Sequence, residues 1–370
     1  MSLLVRGGRG VAALLALAMV AAGCGAGNGA VEWRDAGELI VEPGPINRDV
    51  DLLFVIDNTD SIADEQQELV PAFRQMLERL ERPGALPNLH VGVVSTDLGA
   101  PFEHRFCTPD GDRGVLQNQP MVAGCMAPQG RFIADVASPT GRVRNYVGRL
   151  DDTFGCIARL GIEGCPREQG LQAMKRALDG SAQENADFLR PNALLVVIIM
   201  GEDDDCSVRD PALFDPDNSA LGPPLRYRCF EYGVVCKPSE QDRRSTGPRT
   251  DCRSDEQSHY LDSVASYVDF LVRLKGSRSR VVVGAIVGTG KVVVGSHLTG
   301  EPWVLPGCES IHGPAAPGIR LSEFARSFGF NGFVDSICQD GYGAGLERIA
   351  DRINQLIEPP PAAIADGGLD

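Results

Sequence analysis

Asp57, Thr59 and Ser61 stand at i, i+2 and i+4 in the run Ile56-Asp57-Asn58-Thr59-Asp60-Ser61. One carboxylate and two hydroxyls on so short a loop form an oxygen-only donor set. Such donors suit one hard divalent cation, because Mg²⁺ takes oxygen ligands and keeps part of its water shell. Mn²⁺ or Ca²⁺ would accept the same set. An EF-hand reading of the loop fails, because Ile62 occupies the sixth position, where that loop needs glycine for its sharp turn. Ser61 with Asp64 also makes a capping-box pattern, which gives Ser61 a second task at the start of a helix near Ile62.

The loop needs an element to hold it, and the preceding residues supply one. Val50, Leu52, Leu53, Phe54, Val55 and Ile56 make a near-continuous apolar run, as in a strand buried on both faces of a parallel sheet. In open α/β sheets ligands bind beyond the carboxyl ends of the strands, and Asp57 stands at that end. A helix follows at 62–82, with Leu69, Phe73, Met76, Leu77 and Leu80 on one face. Strands at 90–95, 193–200 and 280–287 alternate with helices at 167–179, 257–275, 320–329 and 342–357. The pattern predicts an α/β fold, a doubly wound and mostly parallel sheet forming one domain over 49–357. Two long insertions, 99–147 and 203–255, follow the second and third strands and should rim the edge that carries Asp57.

The Asp57, Thr59, Ser61 loop after the first strand resembles the metal-ion-dependent adhesion site of von Willebrand factor type A domains. The pattern there is Asp-x-Ser-x-Ser, and Thr59 keeps the first hydroxyl. The resemblance implies ligands from two more loops. The second normally offers a Thr before a helix, but Gly164 to Leu171 contains none. Glu168 or Gln169 stands nearest that place, and each equally suits a first helical turn, where Glu complements the dipole. The third normally reads Thr-Asp, and here Gly201 is followed by Glu202, Asp203, Asp204 and Asp205. The family's Asp falls on Glu202 or Asp203. Four adjacent carboxylates repel one another, and a cation relieves that cost. The plainer reading is an acidic loop with at least two of the four solvated. The implied ligand set is therefore Asp57, Thr59, Ser61, Glu168, Glu202 and Asp203. Ser95-Thr96-Asp97 resembles a triplet of related cysteine-rich bacterial surface lipoproteins, and by itself reads as a turn and helix cap.

Arg6 and Arg9 precede an apolar stretch, Val11 to Ala22, too short to span a bilayer. Ala21-Ala22-Gly23-Cys24 resembles a bacterial lipobox. It implies a signal peptide at 1–23, a lipidated Cys24, a flexible tether at 24–48 and, with Gly25 rather than Asp next, an outer-membrane destination. The tail at 358–370 reads as disordered. Removing 1–23 removes two arginines and no acid, taking the net charge from −15 to −17. So acidic a chain has no general electrostatic means of binding nucleic acid, and its contact with a membrane would be the lipid alone.

The ten cysteines beyond Cys24 form an even set, as expected for disulfides in an exported chain. Sequence proximity suggests Cys107–Cys125, Cys156–Cys165, Cys206–Cys229, Cys236–Cys252 and Cys308–Cys338, although spacing does not determine connectivity. Zinc suits them less, since no Cys-x-x-Cys occurs. Catalytic patterns are missing too. There is no Gly-x-Ser-x-Gly elbow and no His-Glu-x-x-His, and the histidines at 90, 104, 259, 297 and 312 have no triad companions. Gly288-Thr289-Gly290-Lys291 lacks the first glycine and the final hydroxyl of a phosphate loop, and reads as a hairpin. The favoured reading is a non-enzymatic binding or adhesion module that engages a protein or surface ligand, with a ligand carboxylate on the ion. A metal-dependent hydrolase and a structural envelope protein with a degenerate site are the alternatives.

Overall fold

The computed structural model describes residues 31–34, 38–41, 47–102, 107–222, 225–238 and 242–358. The expected signal peptide, Cys24, His104 and the tail beyond Glu358 lie outside the described residues. Two units are distinguished, 1–46 and 47–370. In the first, within the stretch read as a tether, Val31–Arg34 and Glu38–Val41 pair antiparallel.

The second unit is built on seven strands: β1 (Asp49–Ile56), β2 (Asn88–Ser95), β3 (Ile133–Ser138), β4 (Gly141–Arg144), β5 (Leu194–Gly201), β8 (Val281–Val287) and β13 (Gly332–Ser336). Strands β6, β7 and β9 to β12 belong to smaller sheets described below. The order across the large sheet is β13-β8-β5-β1-β2-β3-β4. All neighbours from β13 to β2 are parallel, and β3 runs antiparallel to both β2 and β4. The chain builds outward from β1 through β2 and β3, then returns to β5 and builds the other way. The direction of winding therefore reverses between β1 and β5, which is where doubly wound sheets bind ligands.

Both faces of β1 are covered, which is why its sequence does not alternate. Phe54 and Ile56 pack with Leu69, Phe73 and Met76 of α1 (Ala63–Glu81), Phe154 of α2 (Leu150–Ala158) and Ile349 of α7 (Gly343–Ile357). Leu53 and Val55 pack on the opposite face with α3 (Gly170–Leu178), α5 (Val264–Lys275) and α6 (Ile319–Arg326). Each such side chain, fully buried, contributes about 1.5–3 kcal/mol, so the strand that presents Asp57 is among the most firmly held in the molecule.

The helices begin later than the sequence suggests at two places. α3 starts at Gly170 and α5 at Val264. The chain before α5 instead turns on Asp255 and Ser258, whose side chains accept backbone N–H bonds from Gln257 and Leu261. The first insertion is partly sheet: β3 and β4 extend the edge beyond β2 instead of serving as rim. The second insertion carries α4 (Leu225–Gly233), β6 (Val234–Lys237) and β7 (Gly247–Ser254). With β9 (Val292–Ser296) and β10 (Pro302–Val304) these strands form a four-stranded antiparallel sheet of order β10-β9-β7-β6. The hairpin after Gly288 is thus β9 with β10. A last pair, β11 (Cys308–Glu309) with β12 (Pro314–Ala315), lies between that sheet and α6 in the chain.

Five disulfides join the described cysteines. Cys206–Cys229, Cys236–Cys252 and Cys308–Cys338 form as sequence proximity suggests. The other four cysteines pair differently: Cys107–Cys165 and Cys125–Cys156 replace Cys107–Cys125 and Cys156–Cys165. The reason is tertiary. The segments around Cys107 and Cys165 both run along the carboxyl edge of the sheet, where Asp97 bridges to Glu168 and Ala100 N–H bonds Thr108 O at 3.1 Å. Cys156 belongs to α2 and is joined there by Cys125. Disulfides in this number mark an exported protein. Among the described residues no helix is long and apolar enough to cross a membrane.

Candidate metal centre

Asp57 leaves β1 with its backbone still in the sheet, its N–H bonded to Met200 O of β5 at 2.9 Å. The loop then folds on the Asp57 carboxylate. Thr59 N–H donates to Oδ1 at 2.8 Å and Thr59 Oγ1 to Oδ2 at 3.1 Å. Gln66 on α1 closes the loop from behind, its Nε2 donating to Asp57 O at 2.8 Å and to Gly161 O at 3.0 Å. Gly164 comes so near that a Cβ there would lie 2.2 Å from Asn58 Oδ1. The 159–169 segment is therefore laid directly on the Asp57 loop.

That segment delivers Glu168. It is not in the first helical turn; it precedes Gly170 and pairs in a β-bridge with Asp97. Its carboxyl is buried and hydrogen-bonded to the Asp57 carboxyl, which is fully buried. Close packing at Gly201 is part of this arrangement, since a Cβ there would sit 2.8 Å from Glu168 Oε2. From the third loop, Glu202 accepts a hydrogen bond from Ser61 Oγ. Ser61 consequently does not cap α1, whose N-cap is Ile62 without any side-chain bond. The capping-box expectation fails because the hydroxyl is claimed by an acid from across the switch point.

Electrostatics follow from this crowding. Burial pushes Asp57 up to about 6, against the pull of the Thr59 donors, and the Asp203 charge raises it further. Glu168 is held well above the usual carboxylate range by burial, then by Asp57, Asp203 and Glu202. Glu202 is pushed up to about 7 by burial, with Ser61 opposing and Glu65, Asp57 and Asp203 reinforcing.

The structure brings Asp57, Thr59, Ser61, Glu168 and Glu202 together, with Asp203 beside Glu168 and Glu202 along the same hollow. Gln169 stands apart, its amide bonded to Gly99 O at 3.1 Å as part of the framework. The expectation that at least two of the four acids from Glu202 to Asp205 are solvated is not met; none is exposed. Asp204 accepts the N–H groups of Arg320 and Leu321 at the start of α6. Asp205 accepts Leu171 N–H of α3 at 2.9 Å and pairs with the fully buried Arg320 at 3.1 Å. Ser95 and Asp97 make turn contacts, to Asp112 at 2.5 Å and from Gly99 N–H at 2.7 Å, and cap no helix. The Thr96 hydroxyl is buried without a hydrogen-bond partner.

Gln66 is the residue that a reading of motifs overlooks. Its signal was a lone amide at i+4 from Ile62 on the face that continues to Leu69 and Phe73. All five gathered groups are oxygen donors, the kind that hold Mg²⁺ or Mn²⁺. Among the described residues no group of three or more His, Cys, Asp or Glu converges in a metal-holding arrangement.

No protein-family model matches the chain. No curated protein matches it. Among solved structures, a von Willebrand factor type A protein from Catenulispora acidiphila is similar at 12% identity, over 86% of this chain and 43% of that one, with a TM-score of 0.27. This chain thus spans less than half the length of that protein, and likeness at this level carries no argument. The sheet order and the placing of the Asp57 loop at the switch point stand by themselves. On that topology the domain is a doubly wound, mostly parallel α/β fold with disulfide-stapled insertions.

Proposed function

We propose that the carboxyl edge at Asp57 holds one divalent cation, Mg²⁺ or a close substitute, and that the domain uses it to engage a protein or surface ligand. The observation that carries this reading is the gathering of buried acids at the switch point. Asp57, Glu168 and Glu202 are crowded there, and burial and mutual repulsion raise all three. A cation would turn that cost into binding. Asp57, Ser61 and Glu168 would hold it, with Thr59 fixing the Asp57 carboxylate and Glu202 and Asp203 on the ligand side. The ion supplies an electrophilic position that a ligand oxygen, a carboxylate among them, can occupy. We propose further that Cys24 carries a lipid and that the domain is displayed from the cell envelope, on the outer membrane.

Calorimetric titration of the mature chain with Mg²⁺ and Mn²⁺, beside Asp57→Ala, tests the site. Saturable binding lost in the variant is expected. A folded wild-type domain that binds neither ion would leave the scaffold reading, in which the Asp57–Glu168 and Ser61–Glu202 pairs serve each other.

A further inference from the structure

Beside the hollow that holds the acids lies a second one, between α4 and β10. Both hollows are lined by Glu168, Asp203, Trp303 and Val304, so they form one continuous cleft. The second chamber differs in chemistry. Tyr227 and Phe230 of α4 and Trp303 of β10 line it, with Pro166 and Pro317. Tyr227 turns its hydroxyl to Arg243 O, so its ring and not its polar end serves the chamber. Cys206–Cys229 fastens α4 to the loop after β5 and fixes this aromatic lining next to the acids.

Charge decides what such a chamber accepts. Arg167 contributes a cation to the lining, while Glu168, Asp203 and Asp204 contribute acids. Asp57, Glu168, Glu202 and Asp203 together outweigh a single divalent ion, so the cleft stays negative even when the ion is in place. Aromatic faces and carboxylates share a preference for cations. Among these, guanidinium is planar, weakly hydrated and suited to stacking. We infer that this chamber is a subsite for an arginine side chain of the protein ligand, next to the ion. The inference rests on the proposed ligand-binding face, but the chamber itself needs no metal.

The mature chain contains two tryptophans, Trp33 and Trp303. In a Trp33→Phe background, Trp303 emission reports on the chamber. The probe is n-butylguanidinium, titrated beside n-butanol and butyrate, with EDTA and then with Mg²⁺. The expected result is saturable binding of n-butylguanidinium, roughly 5- to 30-fold tighter than n-butanol, in both conditions. Phe230→Ala and Asp203→Asn, each checked for folding by circular dichroism, should both weaken it. Equal response to n-butanol, equal response to butyrate in EDTA, or no saturation, overturns the inference. Guanidinium binding without any Mg²⁺ binding in calorimetry would sink the metal reading and leave the subsite standing. Mg²⁺ binding without guanidinium binding would do the reverse.

Discussion

Metal-free stability should fall as pH rises through the range where the buried acids ionise, and a divalent cation should remove the fall. Asp57 is raised from 3.8 to about 6. The folded state therefore holds its proton more tightly than the unfolded chain does. Stability from this group is full below about pH 4 and is lost as pH climbs through about 6. At 1.36 kcal/mol per unit the loss is about 3 kcal/mol. Glu202, raised to about 7, acts in the same direction. The two share one field, so their effects will not simply add. His90 is lowered by burial and acts in the opposite direction, gaining stability as pH rises. The comparison that isolates the site is therefore wild type against Asp57→Asn, melted in EDTA at about pH 4 and about pH 7.5. The wild type should lose about 5 °C more than the variant over that interval. Saturating Mg²⁺ should restore the wild type and leave the variant unchanged. A metal-free wild type whose pH dependence matches that of Asp57→Asn would refute the reasoning.

Thr59→Val removes the hydroxyl that holds Asp57 Oδ2 and should weaken Mn²⁺ binding roughly 10- to 100-fold by calorimetry, with the melt little changed. Arg320→Met leaves Asp205 buried without its partner and should cost about 3–5 kcal/mol in denaturant unfolding. Non-reducing peptide mapping should recover Cys107 linked to Cys165 and Cys125 to Cys156; a Cys107–Cys125 peptide would contradict the structure.

The parts of the fold that could be read from the sequence are those fixed by local pattern. β1, β5 and β8 are apolar runs long enough to mean burial on both faces, and α1 and α7 show their apolar stripes plainly. What stayed hidden is set by distant contacts. β13 is partly exposed along its whole length and has no strong apolar signal. β3 and β4 carry Asp135, Arg142 and Arg144, which make sense as strand residues only once their mutual ion pairs are seen. Within the site, Asp57, Thr59 and Ser61 are contiguous and so were legible. The split among Glu202, Asp203, Asp204 and Asp205 was not, because it depends on α3 and α6 presenting their N-termini to the latter two. Glu168 was half legible: it could be named as an oxygen donor near the second loop, but neither its place ahead of α3 nor its contact with Asp57 could be read. The disulfides divide in the same way, since Cys107 finds Cys165 only after the two carboxyl-edge loops have met.

The most direct test of the central claim is a crystal of the mature domain soaked in Mn²⁺ and measured for anomalous scattering. The account predicts a peak within coordination distance of Asp57 and Ser61, with Glu168 drawn off Asp57 and onto the ion. A map without a peak, and with the Asp57–Glu168 hydrogen bond intact, would contradict it.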